Sequence, residues 1–168
     1  MRSTQKDIIS RELIQAAKDI KLLQCLLPRI NIDAVNNYGY TLLILASANG
    51  NLEVVNYLLD QGANVLAKTD QGVSSFSLGA EKGHLEIVKA LYSKDPSVLE
   101  QKDKKGRTAL IWAAMKGHLN VVTFLVSQNA DTNVRSIEGE TPLLLASTNN
   151  HDDVVTFLTG GQNTVTGM

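Results

Sequence analysis

The amino-acid sequence predicts an all-α fold, an α-solenoid made by stacking one helix-turn-helix unit, and two ladders of turn residues carry this prediction. The first ladder has spacings of 33, 34 and 33 residues and consists of Gly39, Gly72, Gly106 and Gly139. The second has the same spacings and consists of Gly50, Gly83, Gly117 and Asn150. Self-similarity at such a period indicates a supersecondary unit that buries its apolar face only against its neighbours.

Composition excludes several classes of function. The 168 residues are 43% hydrophobic and carry a formal net charge of −1, so neither nucleic acid nor a membrane surface is an expected partner. No stretch approaches about 18 apolar residues, and the start, MRSTQKDIIS, lacks the apolar core of a secretion signal. Cys25 is the one cysteine, which suits a reducing compartment. We therefore expect a cytoplasmic location.

A short helix is predicted after each member of the first ladder, because a hydroxyl residue precedes each apolar run. These residues are Thr41, Ser74, Thr108 and Thr141. A hydroxyl at this position is a natural N-cap, since its oxygen accepts a hydrogen bond from an amide of the first turn. Pro142 follows Thr141 at the first helical position, where proline is favourable.

The second ladder predicts where each first helix ends. Glycine after a helix typically adopts the left-handed conformation, and asparagine is the next most tolerant residue. A second helix follows in each unit, with apolar residues at i, i+3 and i+4, as in Val121, Phe124 and Leu125. Small residue pairs such as Ala113–Ala114 let the two helices of a unit approach closely.

Many positions agree, in order, with the pattern of the ankyrin repeat, which is roughly D-x-x-G-x-T-P-L-H-x-A-A-x-x-G-H-x-x-V-V-x-x-L-L-x-x-G-A-D. The third unit has GRTALIWAAMKGHLNVV, and the fourth has GETPLLLAS. The chain resembles this family over four units from about Asn36 to Leu158. The resemblance implies a slightly curved solenoid of helix-turn-helix units joined by β-hairpin loops.

The whole chain, 1–168, is then one ankyrin-repeat domain. Four repeats are predicted, at about 36–68, 69–102, 103–135 and 136–160. A degenerate unit at about 8–35 keeps Leu13 and the Ala16–Ala17 pair, and resembles an N-terminal capping repeat. Residues 1–7 and the tail 161–168 are expected to be loose.

Two departures from the family pattern carry expectations of their own. The histidine of T-P-L-H is replaced by Ile44, Ser77, Ile111 and Leu144, so its hydrogen bonds must be lost or replaced. Repeat two is the weakest match: Gly79 replaces a helical alanine at a cost of about 1 kcal/mol. An extra residue and Pro96 follow, so we expect its second helix to end differently.

Histidine, cysteine and tryptophan residues often serve in metal, catalytic or binding sites, but here the repeat pattern predicts a structural role for each of them. His84, His118 and His151 occupy one register position in successive repeats, with no metal-ligand spacing around them. Cys25 is expected to be a buried, inert thiol, and Trp112, in a column of leucines, is expected to be a core residue. Together with the absence of any catalytic or nucleotide-binding motif, this predicts no enzyme, no metal and no cofactor.

By resemblance, the chain is a non-enzymatic protein–protein interaction module and scaffold that uses its hairpin tips and the concave face of its first helices. The predicted protein-binding residues include an aromatic end, a basic centre and a methionine. They are Tyr38, Tyr40, Lys82, Lys104, Lys105, Arg107, Met115 and Lys116. Glu138 and Glu140 form an acidic far end. A protein partner with an acidic segment is expected, and the chain by itself is expected to be a monomer.

The sequence leaves alternatives open. The same surface residues are compatible with an ordinary solvated face. The chain is also compatible with a regulatory or inhibitory subunit that docks on an enzyme. A third alternative is the binding arm of a secreted, bacterial effector-like factor that lacks a conventional signal peptide. A single stoichiometric enzyme partner in an affinity purification would favour the second of these.

Overall fold

Paired helices follow one another along the chain in the computed structural model, which describes residues 12–160. The helices, in order, are α1 (12–16), α2 (Ile20–Leu26), α3 (Leu42–Asn49), α4 (Leu52–Asp60), α5 (Ser75–Glu81), α6 (Leu85–Lys94), α7 (Ala109–Met115), α8 (Leu119–Ser127), α9 (Pro142–Thr148) and α10 (Asp152–Gly160). The all-α prediction is confirmed. The ends expected to be loose, 1–7 and 161–168, lie outside the described residues.

The helices form two layers. The first helices of the four repeats, α3, α5, α7 and α9, pack in series, and the second helices, α4, α6, α8 and α10, pack behind them. One continuous apolar cluster runs between the layers from Leu13 to Leu158. Each repeat therefore buries its apolar face against its neighbours, as a solenoid requires.

The predicted N-caps are confirmed in three of four repeats. The side-chain oxygens of Thr41, Ser74 and Thr141 accept hydrogen bonds from the amides three residues later at 3.3, 3.2 and 3.1 Å. Thr108 is the exception, because its buried hydroxyl makes no capping bond and has no partner among the described residues. Thr108 occupies the predicted N-cap position with extended backbone, but the expected hydrogen bond to its hydroxyl is absent.

The second ladder has the predicted backbone conformation. Gly50, Gly83 and Gly117 have φ of 74°, 76° and 74°, and Asn150 has φ of 60°. The glycines also meet a packing demand, because the histidine ring of the next repeat lies against each of them. A Cβ on Gly83 would lie 2.6 Å from Nδ1 of His118.

The histidines fasten neighbouring repeats together. Nε2 of His118 is 2.8 Å from the carbonyl oxygen of Glu81, and Nε2 of His151 is 3.1 Å from that of Met115. Each bond crosses from one repeat to the preceding one. The structural interpretation of these two histidines is confirmed.

The hairpin loops are tight turns with very little β structure. Within residues 12–160 the one β-bridge joins Lys68 and Ser74. Each turn is closed by a backbone bond such as that from the Asp103 amide to the Arg107 carbonyl at 3.1 Å. Neighbouring tips are also bonded: the amides of Asp70, Lys104 and Ile137 donate to the preceding tip at 3.3, 3.0 and 2.8 Å. These bonds align the four tips in a continuous row.

Repeat two compensates for the missing histidine with serine. The Ser74 amide donates to Oγ of Ser77 at 3.0 Å, and the Ser77 amide donates back to Oγ of Ser74, a reciprocal capping box. In repeat three the same position is Ile111, which offers no polar group, and the Thr108 hydroxyl stays unpaired. The hydrogen bond of the family's histidine is therefore replaced by a serine bond in repeat two and lost in repeat three, as expected.

The second helix of repeat two ends as predicted, in a way of its own. Helix α6 continues to Lys94, and Asp95 then caps a short 3-10 helix, Pro96–Val98, by accepting from the Ser97 amide at 2.9 Å. Hydrogen bonding by the Ser97 side chain, and then by its amide, holds the pKa of Asp95 below its usual value. In the other complete repeats a residue with positive φ, Gly62 or Asn129, closes the corresponding turn.

The prediction of a buried Cys25 is wrong, because this side chain is exposed. Helix α2 buries Leu23, and a residue two positions further along a helix is rotated by about 200° from it. Cys25 therefore points away from the core. In the same N-terminal segment, Leu13, Ala16 and Ala17 are fully buried.

Between residues 12 and 160, none of the helices has the length and apolarity needed to cross a lipid bilayer.

Candidate protein-binding surface

The predicted binding residues lie at two levels of the stack. Tyr38, Tyr40, Lys104 and Lys105 lie on the hairpin turns, and Tyr38 is 71% exposed. The other level is the far end of the first helices, where Lys82 and Lys116 are equivalent C-cap residues of α5 and α7. Helix α7, with seven residues, separates the levels by about 10 Å at 1.5 Å per residue. The basic residues therefore do not form a single cluster.

Arg107 is held by an acidic residue of the next repeat. Its Nε and one terminal nitrogen donate to the two carboxylate oxygens of Glu140, both at 2.9 Å. The two side chains are only 12% and 18% exposed. A bidentate pair of this kind fixes both geometry and charge, so the guanidinium of Arg107 is already occupied within the molecule.

Trp112 belongs to the same network, and its prediction as a core residue is wrong. The indole is half-buried, and its Nε1 donates to a carboxylate oxygen of Asp103 at 3.2 Å. The guanidinium carbon of Arg107 lies 5.1 Å from the ring centroid, within reach of a cation–π interaction. The other carboxylate oxygen of Asp103 accepts from the amides of Lys105 and Arg107 at 2.8 and 2.9 Å. Trp112 therefore braces the tip of repeat three.

The environment of Glu140 contains opposing influences on its pKa. Burial favours the neutral acid and raises the pKa, but hydrogen bonds from Arg107 and from Ser136 outweigh it. The charges of Arg107 and Lys105 act in the same direction as those bonds. The net effect is a pKa below the usual 4.5, so Glu140 is ionised at neutral pH.

Two more lysines of the predicted basic centre have acidic neighbours. The Lys105 ammonium is 3.7 Å from a carboxylate oxygen of Glu138, and the two side chains are 60% and 57% exposed. Lys82 lies 3.5 Å from Glu81. Exposed pairs of this kind contribute little energy, but they reduce the net positive charge that a partner meets.

Lys104 and Lys116 differ from the other members of the basic centre. Both are exposed, and neither makes an ion pair within residues 12–160. The acidic far end, Glu138 and Glu140, is thus joined to the basic centre instead of standing apart from it. Two isolated cations at two levels replace the continuous basic patch that the sequence indicates.

Met115 is the last residue of α7, at the level of Lys116, and is half-buried. It packs against a small apolar cluster of Ile111, Val134 and Leu145 at the junction of repeats three and four. Its exposed part adds an apolar surface beside Lys116. Methionine adapts to irregular neighbours, which suits a contact surface.

Sequence reasoning missed the charge pairing, although a signal for it was present. Arg107 and Glu140 are 33 residues apart and occupy the same position in successive repeats, as do Lys105 and Glu138. Neighbouring tips are aligned by backbone bonds, so opposite charges one period apart meet. Over the described residues, no group of three or more His, Cys, Asp or Glu side chains is arranged to hold a metal ion.

The comparison with protein families agrees with this architecture. The family model described as ankyrin repeats (3 copies) matches residues 12–69 and 76–166, most of the chain. The chain belongs to the ankyrin-repeat family. Ankyrin repeats generally mediate protein–protein interactions, and members of the family are typically non-enzymatic interaction modules.

Two curated relatives are longer proteins that this chain matches in part. Protein fem-1 homolog A-like from Mus musculus is 30% identical over 100 residues, which cover 60% of this chain and 15% of that protein. Ankyrin repeat, SAM and basic leucine zipper domain-containing protein 1 from Dasypus novemcinctus is 31% identical over 120 residues, which cover 67% and 25%. The chain matches a quarter or less of each relative.

Proposed function

We propose that this ankyrin-repeat chain is a non-enzymatic binding module that holds a protein partner against its row of hairpin tips and the concave side of its first helices. The partner presents an acidic segment to Lys104 and Lys116, and Tyr38, Tyr40 and Met115 supply apolar contact from the side of this chain. The chain works as a monomer in the cytoplasm, where a lone cysteine stays reduced.

The observation that carries this proposal is the distribution of unpaired charge. Arg107 and Lys105 are engaged by Glu140 and Glu138, whereas Lys104 and Lys116 have no ion pair in the part of the chain that the structure describes. A cation without an intramolecular partner can attract an acidic partner without first breaking a contact. Complementary charge mainly raises the association rate, and desolvated aromatic residues contribute more of the affinity.

In this proposal the partner segment runs along helix α7. Lys104 on the tip and Lys116 beyond α7 are separated by the length of that helix, so a segment that contacts both lies along it. Such a segment passes Trp112 and Met115, both half-buried. Aromatic residues and methionine are enriched in protein interfaces, in keeping with this path.

The test uses the partner recovered by affinity purification from the source cell. Lys104→Ala is compared with Lys105→Ala, a neighbouring lysine whose charge is already paired. We expect Lys104→Ala to slow association by about twofold to fivefold and to weaken its salt dependence. Lys105→Ala should change both quantities less. Equal effects of the two substitutions, or no effect of either, would overturn the assignment.

Tyr40→Ala tests the aromatic end separately. We expect dissociation to become about tenfold faster with little change in association, because a desolvated ring contributes mainly to the lifetime of a complex. Circular dichroism of each variant checks that the helices are intact. An unchanged dissociation rate would show that the partner does not reach repeat one.

A further inference from the structure

A cleft between the tips of repeats one and two combines two tyrosine rings with a single carboxylate. It has a volume of about 310 Å3 and is lined by Tyr38, Tyr40, Thr69, Asp70 and Gln71. Asp70 is its one charged lining residue. Two tyrosines and a carboxylate in one cleft can bind a cation, because aromatic faces and anionic oxygens both attract positive charge.

The backbone fixes the carboxylate close to the aromatic residues. The Asp70 amide donates to the Tyr38 carbonyl at 3.3 Å, and a Cβ added to Gly39 would lie 2.8 Å from Oδ1 of Asp70. The carboxylate thus lies over the glycine that separates Tyr38 from Tyr40. Gly39 has φ of 78°, so both close approach and backbone conformation require glycine there.

The Asp70 carboxylate is unused by the protein itself. Within residues 12–160 it accepts no hydrogen bond, and no cationic nitrogen lies within 4 Å of it. The neighbouring lysines have other positions: the Lys68 ammonium donates to the Lys102 carbonyl at 3.0 Å, and Lys104 lies on the next tip. By contrast, Asp103 at the tip of repeat three accepts from Trp112 and from two backbone amides.

We propose that this cleft, defined by Tyr38, Tyr40 and Asp70, binds an arginine side chain of the protein partner. A planar guanidinium can stack on a tyrosine ring and donate two hydrogen bonds to a carboxylate at once. An apolar side chain would leave the Asp70 charge buried and unpaired, which is unfavourable. A single carboxylate is too few oxygen ligands for a calcium ion.

The inference rests on the proposed function and adds a sequence rule for the partner. Asp70 and Lys104 are equivalent residues of adjacent tips, so they are one repeat apart, roughly 10 Å for packed helices. An extended chain advances about 3.3–3.6 Å per residue. The partner should therefore carry arginine about three residues from the acidic residue that meets Lys104.

The cleft can be tested without the partner, by titrating the 15N-labelled full chain with N-acetyl-arginine amide and following amide resonances. We expect saturable shifts at Tyr38, Asp70 and Gln71 with a Kd on the order of 1–10 mM, as for a single side chain. N-acetyl-citrulline amide, which has the same shape without the charge, is the matched ligand control. Equal binding of citrulline, or shifts spread over all exposed carboxylates, would overturn the proposal.

Two variants complete the test. Asp70→Asn should weaken arginine binding at least about fivefold, since the bond to a charged acceptor is lost, whereas Glu138→Gln, another tip carboxylate, should leave it unchanged. Unaltered binding by Asp70→Asn would also overturn the proposal. Failure here leaves the response of the partner to Lys104→Ala untouched, so the two proposals can fail separately. N-acetyl-lysine amide should bind more weakly, because an ammonium lacks the planar donor pair.

Discussion

The tips of repeats one and two form a junction that differs from the one between repeats three and four, although both have the same backbone. At the later junction, Arg107 and Glu140 form a bidentate pair with 12% and 18% of their side chains exposed, and Lys105 meets Glu138. At the earlier junction, the Asp70 carboxylate has no ion pair in the described part of the chain. The charges of Arg107 and Glu140 stabilise the stack, whereas the charge of Asp70 stays available for a ligand.

A charged residue at a hairpin tip either pairs with the residue one period away or stays available to a partner, and the identity of that neighbour decides which. A count of basic residues overstates the surface that a partner meets. The charged side chains at the hairpin tips vary between repeats, whereas the turn between the two helices of a repeat stays constant. That inter-helix turn must both adopt a left-handed backbone and accommodate a histidine ring of the next repeat.

The largest effect that sharpens this comparison is expected from Glu140→Ala. Removing the carboxylate leaves Arg107 largely buried without its hydrogen-bond acceptor, so the free energy of unfolding should fall by about 1–3 kcal/mol. Denaturant unfolding measures it. Glu138→Ala is the matched control, because its pair is exposed and should contribute about 0.5 kcal/mol or less. Equal losses in the two variants would show that the two pairs do not differ.

A double-mutant cycle adds a second check on the same pair. Arg107→Ala combined with Glu140→Ala should cost less than the sum of the two single losses, since each single variant already abolishes the pair. Strict additivity would contradict the contact between Arg107 and Glu140.

The next effect concerns repeat two, whose tip makes no ion pair with any of residues 12–160. Gly79→Ala should raise the free energy of unfolding by up to about 1 kcal/mol, because alanine favours the helix. The added Cβ would lie 3.4 Å from Cγ2 of Ile87 and 3.6 Å from Cγ2 of Val88, ordinary contact distances. A lower denaturant midpoint would mean that the site is too tightly packed for a methyl group.

Gly83→Ala provides the opposite control in the same repeat. Its φ is 76°, and a Cβ there would lie 2.6 Å from Nδ1 of His118. This substitution should destabilise the array by about 1 kcal/mol or more, since both backbone and packing oppose it. Similar stabilities for the two alanine variants would contradict the different roles of the two glycines.

The sequence predicts best those features that depend on residues close to one another along the chain. The spacing of the second ladder predicts the left-handed turns, because φ at Gly50 or Asn150 depends on a few neighbouring residues. The hydroxyl residue before each apolar run likewise predicts the N-caps, and three of the four make the expected capping bond. The exposure of Cys25 was missed because the cap's leucine-rich helix has two apolar sides, and the pattern does not tell that Leu23 faces inward while Leu22 is 43% exposed.

The misjudged parts of the candidate site depend on polar side-chain contacts that the repeat pattern does not specify. Trp112 stands in a column with Leu45, Leu78 and Leu145, and this favours a core position. Its indole nitrogen, however, finds Asp103 nine residues earlier, and Arg107 covers its ring. A buried tryptophan usually needs a hydrogen-bond acceptor for its indole N–H, so Trp112 lies at the edge of the core, where it reaches Asp103. Charge pairing across one repeat is likewise outside any local pattern.

The smallest effect is on the pH dependence of stability. The pKa of Glu140 is lower in the folded state than its usual 4.5, so its contribution to stability is present above that value. The contribution is lost as the pH falls through the lower, folded pKa. Wild type should therefore lose more unfolding free energy on acidification below pH 4.5 than Glu140→Gln. Parallel pH profiles would contradict this, and the difference between the profiles cancels the separate contribution of Asp95.

The most direct test of the central claim, that the chain binds a protein through its tips and first helices, is hydrogen–deuterium exchange of the chain with and without its affinity-purified partner. The account predicts slower exchange at the tips 37–40, 70–73 and 104–107 and along α7. The second helices, including α8, should exchange as in the free chain. Protection confined to α4, α6 and α8 would contradict the claim, and so would a purification that retains no protein.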